Sequence, residues 1–129
     1  MKAALGTTAI SLTAAREAVY GGGRLWDRHW NGIPVPLCAC DMRGRLVGFN
    51  RRATELWGRE PHLGEEADAY LGAAADRPES PLGFALRTGM AVHGRESIVP
   101  RSDGSSVACM LHIDPVEDGD GRLICAIVC

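Results

Sequence analysis

The sequence predicts an α+β domain, a single antiparallel sheet with short helices lying across one face. Three observations predict it. Two strand-like segments come early, at 36–41 and 45–49, and three more close the chain, at about 91–99, 105–113 and 122–129. Turn residues join the members of each group, so strands adjacent in sequence pair as antiparallel hairpins. Between the groups, residues 50–88 show helix caps and helical apolar spacing in place of alternation. A sheet interrupted in this way buries its apolar face under the intervening helices.

The bulk properties fit one domain. The chain has 129 residues, of which 46% are hydrophobic, too many for a disordered segment. Fourteen basic residues stand against 16 acidic ones, so no basic surface offers itself to nucleic acid. No apolar run approaches the roughly 20 residues of a membrane helix. Five cysteines, an odd number without framework spacing, fit a reducing cytoplasm better than a secreted disulfide scaffold. The opening MKAALGTTAISLTAA lacks the leucine core of a secretory signal.

Residues 7–20 read as a helix with a thin apolar stripe at Leu12, Ala15 and Val19. Gly21, Gly22 and Gly23 follow as a hinge, then a helical turn over 24–30 with Trp26 and Trp30 on one side. Such a helix cannot bury itself alone. Residues 1–32 are therefore read as a flanking, dimerising segment, and 33–129 as the domain proper. Pro34 and Pro36 bar any helix between them.

In the domain, Asp41-Met42-Arg43-Gly44 turns the first strand into the second. Asn50 is an N-cap for a helix whose buried face is Ala53, Leu56 and Trp57, while Arg51, Arg52 and Glu55 stay in water. Gly58 ends that helix in a left-handed cap. Residues 59–79 are broken by Pro61, Gly64, Gly72 and Pro78, with a helical fragment expected near 65–71. Ser80 and Pro81 open the next helix and Gly89 closes it, with Leu82, Ala85 and Leu86 inward and Phe84 to one side. Asp103-Gly104 and residues 117–121 turn the final hairpins. In the fourth strand Val107, Cys109, Leu111 and Ile113 alternate with Ser106, Ala108, Met110 and His112, and the last strand is apolar on both faces, as a central strand requires.

These residues resemble a known family. Asp41, Gly44, Leu46, Asn50, Ala53, Leu56 and Gly58 meet its D-x-x-G-x-(apolar)-x-x-x-N-x-x-A-x-x-L-x-G pattern, and Arg101, Asp103, Gly104 and Ser105 meet its R-x-D-G-(S/T) turn. With ALRTG at 85–89, they make Ile33 to Cys129 similar to a PAS domain of the kind found in proteobacterial sensor histidine kinases. The resemblance implies a PAS-like (profilin-like) five-stranded antiparallel sheet in spatial order 2-1-5-4-3, and a sensing or dimerisation role. It names no cofactor. The flavin-photosensor motif N-C-R-F-L-Q is absent, and the 80–88 helix lacks the histidine that haem-binding relatives carry there.

Candidate chemistry is sparse. Cys38 and Cys40 share one face of the first strand, Cys125 and Cys129 one face of the last, and the implied order makes these strands neighbours. Clustered thiols suit zinc or a redox switch. They equally suit a core in which free cysteine packs as a small hydrophobe, and two residues along a strand, roughly 6.6 Å apart, fit a single tetrahedral ion poorly. Trp57, Tyr70, Phe84 and His93 are the candidate lining of a pocket between helices and sheet. Their alternative is core filling. No nucleophile–base pair or metal cluster is readable, so catalysis by this chain is not expected.

The expectation is a cytoplasmic PAS-like input module of a bacterial two-component sensor histidine kinase, any kinase activity lying in a segment outside these residues. A small ligand, or homodimerisation through the N-terminal helix and a sheet face, shifts an equilibrium that an effector reads. The alternative is a ligand-free protein–protein interaction module serving another output.

Overall fold

A computed structural model describes residues 28–72, 78–116 and 121–128. The helix expected at 7–20, most of the 117–121 turn, and Cys129 lie outside them. The order is α1 (Arg28–Asn31), β1 (Leu37–Cys40), β2 (Leu46–Phe49), α2 (Arg51–Trp57), α3 (Asp68–Leu71), α4 (Pro81–Thr88), β3 (Val92–Pro100), β4 (Ser106–Pro115) and β5 (Leu123–Val128).

The five strands form one antiparallel sheet in the order β2-β1-β5-β4-β3. The chain thus starts beside the centre, moves to one edge, crosses under the helices, and returns through the far edge to close against β1. Cys38 pairs with Cys125 and Ala39 with Ile124 across the central β1–β5 seam. The free edge of β2 is covered. Leu46 N–H donates to Glu65 O at 2.8 Å, Gly64 N–H to Leu46 O at 2.8 Å and Ala67 N–H to Gly44 O at 2.8 Å. That pairing removes a row of open backbone groups.

Local chemistry explains the turns and caps. Asp41 Oδ1 accepts from Arg43 N–H at 2.9 Å and Arg45 N–H at 3.1 Å, and Gly44 takes φ +79°. Asn50 Oδ1 accepts from Ala53 N–H at 3.1 Å to cap α2, and Ser80 Oγ from Gly83 N–H at 2.9 Å to cap α4. Gly72 holds φ +80°, and a Cβ there would stand 1.9 Å from Ile98 O. Only glycine lets the end of α3 approach β3 so closely.

The sheet has two unlike faces. The inner face, bearing Cys38, Cys40, Leu46, Leu111, Ile113, Cys125 and Ile127, packs against Ala53, Trp57, Tyr70, Leu71, Leu82 and Ala85 of the helices. The outer face of β1 and β5, with Leu37, Ala39, Ile124 and Ala126, is roofed by Trp30, Ile33 and Val35. The Asn50 side chain ties that roof to β1 and α2. The Asn50 amide donates to Trp30 O at 3.1 Å and Val35 O at 2.8 Å, and its Oδ1 also accepts from Leu37 N–H at 2.9 Å. The N-cap is therefore also the buried tie between the lead-in segment, β1 and α2. Among the described residues no helix is long and apolar enough to cross a membrane.

Candidate functional site

The C-terminus of α2 leaves carbonyls without helical partners. The β3–β4 turn supplies them. Arg101 Nε donates to Leu56 O at 2.8 Å, Ser102 N–H to Trp57 O at 2.8 Å, and Ser102 Oγ to Gly58 O at 2.9 Å. Asp103 Oδ1 holds that turn by accepting from Ser105 N–H at 2.9 Å. The sequence pattern Arg101-x-Asp103-Gly104-Ser105 thus clamps one helix end, a cationic side chain sitting where the helix dipole is negative.

The clamp frames a cleft of about 300 Å³ lined by Trp57, Arg59, Ala69, Tyr70, Pro100, Arg101 and Ser102. Trp57 and Tyr70 meet there, ring centroids 4.8 Å apart and tilted by 52°. The Tyr70 hydroxyl donates to Glu65 and accepts from Arg59, whose guanidinium also lies 4.9 Å above the tyrosine ring. Burial, and then the bond to Glu65, raise the Tyr70 pKa. The same hydroxyl, with His62 N–H, lowers that of Glu65. Trp57 is 1% exposed, yet its indole N–H has no partner among the described residues. A second, wider depression of about 650 Å³ runs past Asn31, Phe49, Arg51, Thr54 and Pro61 to Leu63.

The structure brings together two of the four candidate pocket residues. Phe84 is half-buried on α4, beside the guanidiniums of Arg87 at 5.6 Å and Arg95 at 5.8 Å, away from this cleft. His93 stands on the outer face of the sheet. Its Nε2 lies 2.9 Å from Asp114 Oδ1 and its ring 5.9 Å from that of His112. The cause is a bulge in β3. Val92 pairs with Ile113 and Arg95 with Leu111, so three steps on one strand match two on the other. The extra residue, next to Gly94 at φ +71°, turns His93 away from the helices. Sequence reasoning did not single out Arg59; it placed Arg101 in the turn pattern and His112 in the alternation of β4 without giving either a site.

Three thiols do gather. Cys38, Cys40 and Cys125 are free, fully buried, and share the inner face. Contact with Cys125, then burial, raises the Cys40 pKa. Contact with Cys38 does the same to Cys125. Cys40 and Cys125 stay as thiols, which disfavours nucleophilic use. Among the described residues no three metal-ligating side chains are arranged to hold an ion.

The comparisons agree with this geometry. The structure is similar to the PAS domain of an HTR-like protein from Haloarcula marismortui, with 17% identity over 76% of this chain and 83% of that one and a TM-score of 0.63. It is similar to the LOV domain of a blue-light activated histidine kinase from Erythrobacter litoralis, with 21% identity over 74% and 94% and a TM-score of 0.63. It is also similar to the photoactive yellow protein domain of the sensor histidine kinase Ppr from Rhodospirillum centenum, with 16% identity over 87% and 97% and a TM-score of 0.66. At such identities the likeness is one of fold. No curated protein matches the chain. The family described as "PAS fold" matches residues 30–129. That match spans the whole sheet, the helices over it and the clamp at the end of α2, and by it the chain belongs to the PAS-fold family.

Proposed function

We propose that this chain is the cytoplasmic input module of a bacterial sensor histidine kinase. Residues 1–32 act as its dimerising flank and 33–129 as its sensor domain. Members of the PAS-fold family are generally sensory modules, and two of the structural neighbours above are parts of histidine kinases. The observation that carries the reading is the outer face of the sheet. One half is roofed by Trp30, Ile33 and Val35, and the other leaves Ile98 and Met110 41% and 46% exposed. A face part-covered by the lead-in segment and carrying exposed Ile98 and Met110, with Glu96 opposite Met110, suits a second copy of the chain, with residues 7–20 proposed to pack across the junction.

Signal entry and output are then joined by strands. A ligand at the cleft touches the clamp formed by Arg101 and Ser102, which begins the β3–β4 turn, and those two strands form the open outer surface. A ligand acts only through a difference in affinity between the free and signalling arrangements. The second reading, a ligand-free interaction module, is favoured by the inner face, which Trp57, Leu71, Leu82 and Leu111 fill.

Sedimentation of the full chain tests the dimer. The wild type is expected to associate at micromolar concentration, and Met110→Glu with Ile98→Glu to sediment as a monomer with an unchanged circular dichroism spectrum. A wild-type monomer at high micromolar concentration, or a dimer indifferent to those charges and to deletion of residues 1–23, overturns the reading. A co-purified mass in native spectra separates the ligand-binding form from the ligand-free one.

A further inference from the structure

One cysteine of β4 stands apart from the thiol cluster. The chain has five cysteines. Cys38, Cys40 and Cys125 are free, whereas Cys109 is disulfide-bonded and buried on the inner face. Cys129 lies outside the described residues. The β4–β5 ladder runs without a register shift from Pro115 opposite Leu123 to Met110 opposite Val128. Beyond its first rung, Val116 N–H donates to Arg122 O at 2.8 Å, and that bond sets the alternation of the ladder. Pro115 with Leu123, Ile113 with Cys125 and Leu111 with Ile127 are therefore the close, non-hydrogen-bonded pairs, their Cα atoms about 4.5 Å apart. Pro115, with no N–H to give, suits such a position. Leu111, Ile113, Cys125 and Ile127 belong to the inner core, as Cys109 does. The next pair of the same kind joins Cys109 to position 129.

We propose that Cys109 bonds to Cys129 and that this bond is a redox latch, fastening the end of β5 to β4 when oxidised and releasing it when reduced. A disulfide spans Cα atoms about 4.4–6.8 Å apart, which a close cross-strand pair meets without backbone movement. Cys38 and Cys125 also lie directly opposite each other. Ile127 N–H donates to Pro36 O at 3.0 Å, so by the same alternation theirs is a hydrogen-bonded position, where side chains stand farther apart. That difference lets one cross-strand pair bond while the other stays as thiols. The latching rung lies one step past Val128, where β5 ends, and strand ends open more readily than strand centres. The oxidant is a small disulfide such as oxidised glutathione. A thiolate of the pair attacks one of its sulfurs and expels one glutathione thiolate. The second cysteine's thiolate then attacks the protein sulfur of the mixed disulfide and expels the other. One protein disulfide forms, one small disulfide is reduced, and the two thiol protons end on the two glutathiones. Reduced glutathione runs the exchange backwards, and a bond that forms and breaks in this way is the kind a reducing compartment permits. The latch goes beyond the sensory reading, since it needs neither a ligand in the cleft nor a dimer.

The test equilibrates the full chain in oxidised or reduced glutathione, alkylates the remaining thiols in urea and digests without reduction. Cys125 and Cys129 share the tryptic peptide 123–129, so fragmentation in the mass spectrometer tells them apart. The oxidised sample is expected to hold Cys109 linked to Cys129 within one chain, with Cys38, Cys40 and Cys125 alkylated. In the reduced sample all five are expected to be alkylated. The urea midpoint of the oxidised chain is expected to exceed that of the reduced chain by about 1 M, because the bond closes the β4–β5 hairpin into a ring. Cys129→Ser is expected to abolish that difference and to leave the reduced midpoint unchanged. Its circular dichroism spectrum reports whether it folds, and the peptide map of the wild type stands without it. Alkylated Cys109 and Cys129 in both buffers, a link from Cys109 to another cysteine or to a second chain, or an undiminished midpoint difference in a folded Cys129→Ser overturns the latch. The outcome is independent of the dimer, whose sedimentation test uses other residues.

Discussion

The two faces of the sheet are made from the same strands and solve different problems. On the inner face every alternate position of β1, β4 and β5 is closed over by helices of this chain, and the side chains there are aliphatic residues, small thiols and the aromatic pair of α2 and α3. On the outer face β1 and β5 are covered by a lead-in segment tied down by the Asn50 amide, by Arg51 N–H donating to Asn31 Oδ1 and by Ile127 N–H donating to Pro36 O. Beyond that roof, β3 and β4 present Ile98, Met110 and the buried but unsatisfied His112. The inner face is complete within the described residues, whereas the outer one has apolar and polar groups still to be matched. A fold whose stability comes from one side is free to use the other for coupling.

Paired substitutions on adjacent residues of β4 break the comparison most sharply. Leu111 is fully buried inward, and Met110 is nearly half exposed outward. Leu111→Ala is expected to cost about 3 kcal/mol, the lost transfer energy plus a cavity, and Met110→Ala less than about 0.5 kcal/mol. Urea unfolding of both variants, measured at a concentration where the chain is monomeric, checks it. Equal costs would mean that the outer face contributes to the core as much as the inner one does.

Asn50 sits where the two faces are tied. Asn50→Ala removes the cap on Ala53 N–H and leaves Leu37 N–H, Trp30 O and Val35 O without their partner. The expected loss is about 2–3 kcal/mol, a cap plus buried groups left unmatched. Asn50→Asp keeps the acceptor and loses the donor, so it is expected to retain the α2 cap while loosening residues 30–35. Amide exchange distinguishes the two, with protection lost at α1 and the Ile33 N–H in both variants and at the start of α2 in the alanine variant alone.

That contrast also marks what the sequence made legible. The Asp41–Gly44 turn, the Asn50 and Ser80 caps and the Gly58 and Gly89 stops are written within four residues of where they act, and each lies where local chemistry puts it. The alternation of β4 separates inner from outer side chains without help from the fold. The second role of Asn50 depends on carbonyls 15 and 20 residues away, which no local pattern encodes. The clamp on α2 spans 44 and 45 residues for the same reason. His93 shows the opposite difficulty. Strict alternation back from Val99 and Ser97 places it inward, and one bulged residue reverses it. Gly94 is the only local hint of that bulge. Trp57 and Tyr70 have apolar character that fits either core or cleft, and the structure buries both rings in the inner-face core at the back of the cleft.

The thiols sharpen the inner side of the comparison at a smaller scale. Cys38, Cys40 and Cys125 are fully buried, and contact between them together with burial holds the Cys40 and Cys125 thiols protonated. Alkylation at each, read by mass spectrometry of its own peptide, is expected to proceed only at the rate of global opening, and to accelerate in Leu111→Ala in proportion to its lost stability. Cys38→Ala is expected to cost about 1 kcal/mol, the loss of one small buried group. Fast modification of any of the three in the native state would show that the inner face opens independently.

The smallest expected effect belongs to His112 on the outer side. Its Nδ1 accepts from Gly94 N–H at 3.2 Å, which assigns the proton of the neutral ring to Nε2, the atom without a partner among the described residues. Burial, and then the neighbouring His93, lower its pKa below the ordinary 6.5, with Asp114 opposing. A histidine depressed in the folded state is protonated first in the unfolded chain. Its contribution is therefore fully present above about pH 6.5, and it declines as pH falls from there towards the depressed value. The urea midpoint of the wild type is expected to drop between pH 7 and pH 5 by more than that of His112→Leu, which removes the titrating ring and fills the same outer position beside Ala126. Parallel curves, or a His112 ring that titrates at or above 6.5 by NMR, would mean that Nε2 has found an acceptor on the outer face, and that this side of the sheet is as closed as the other.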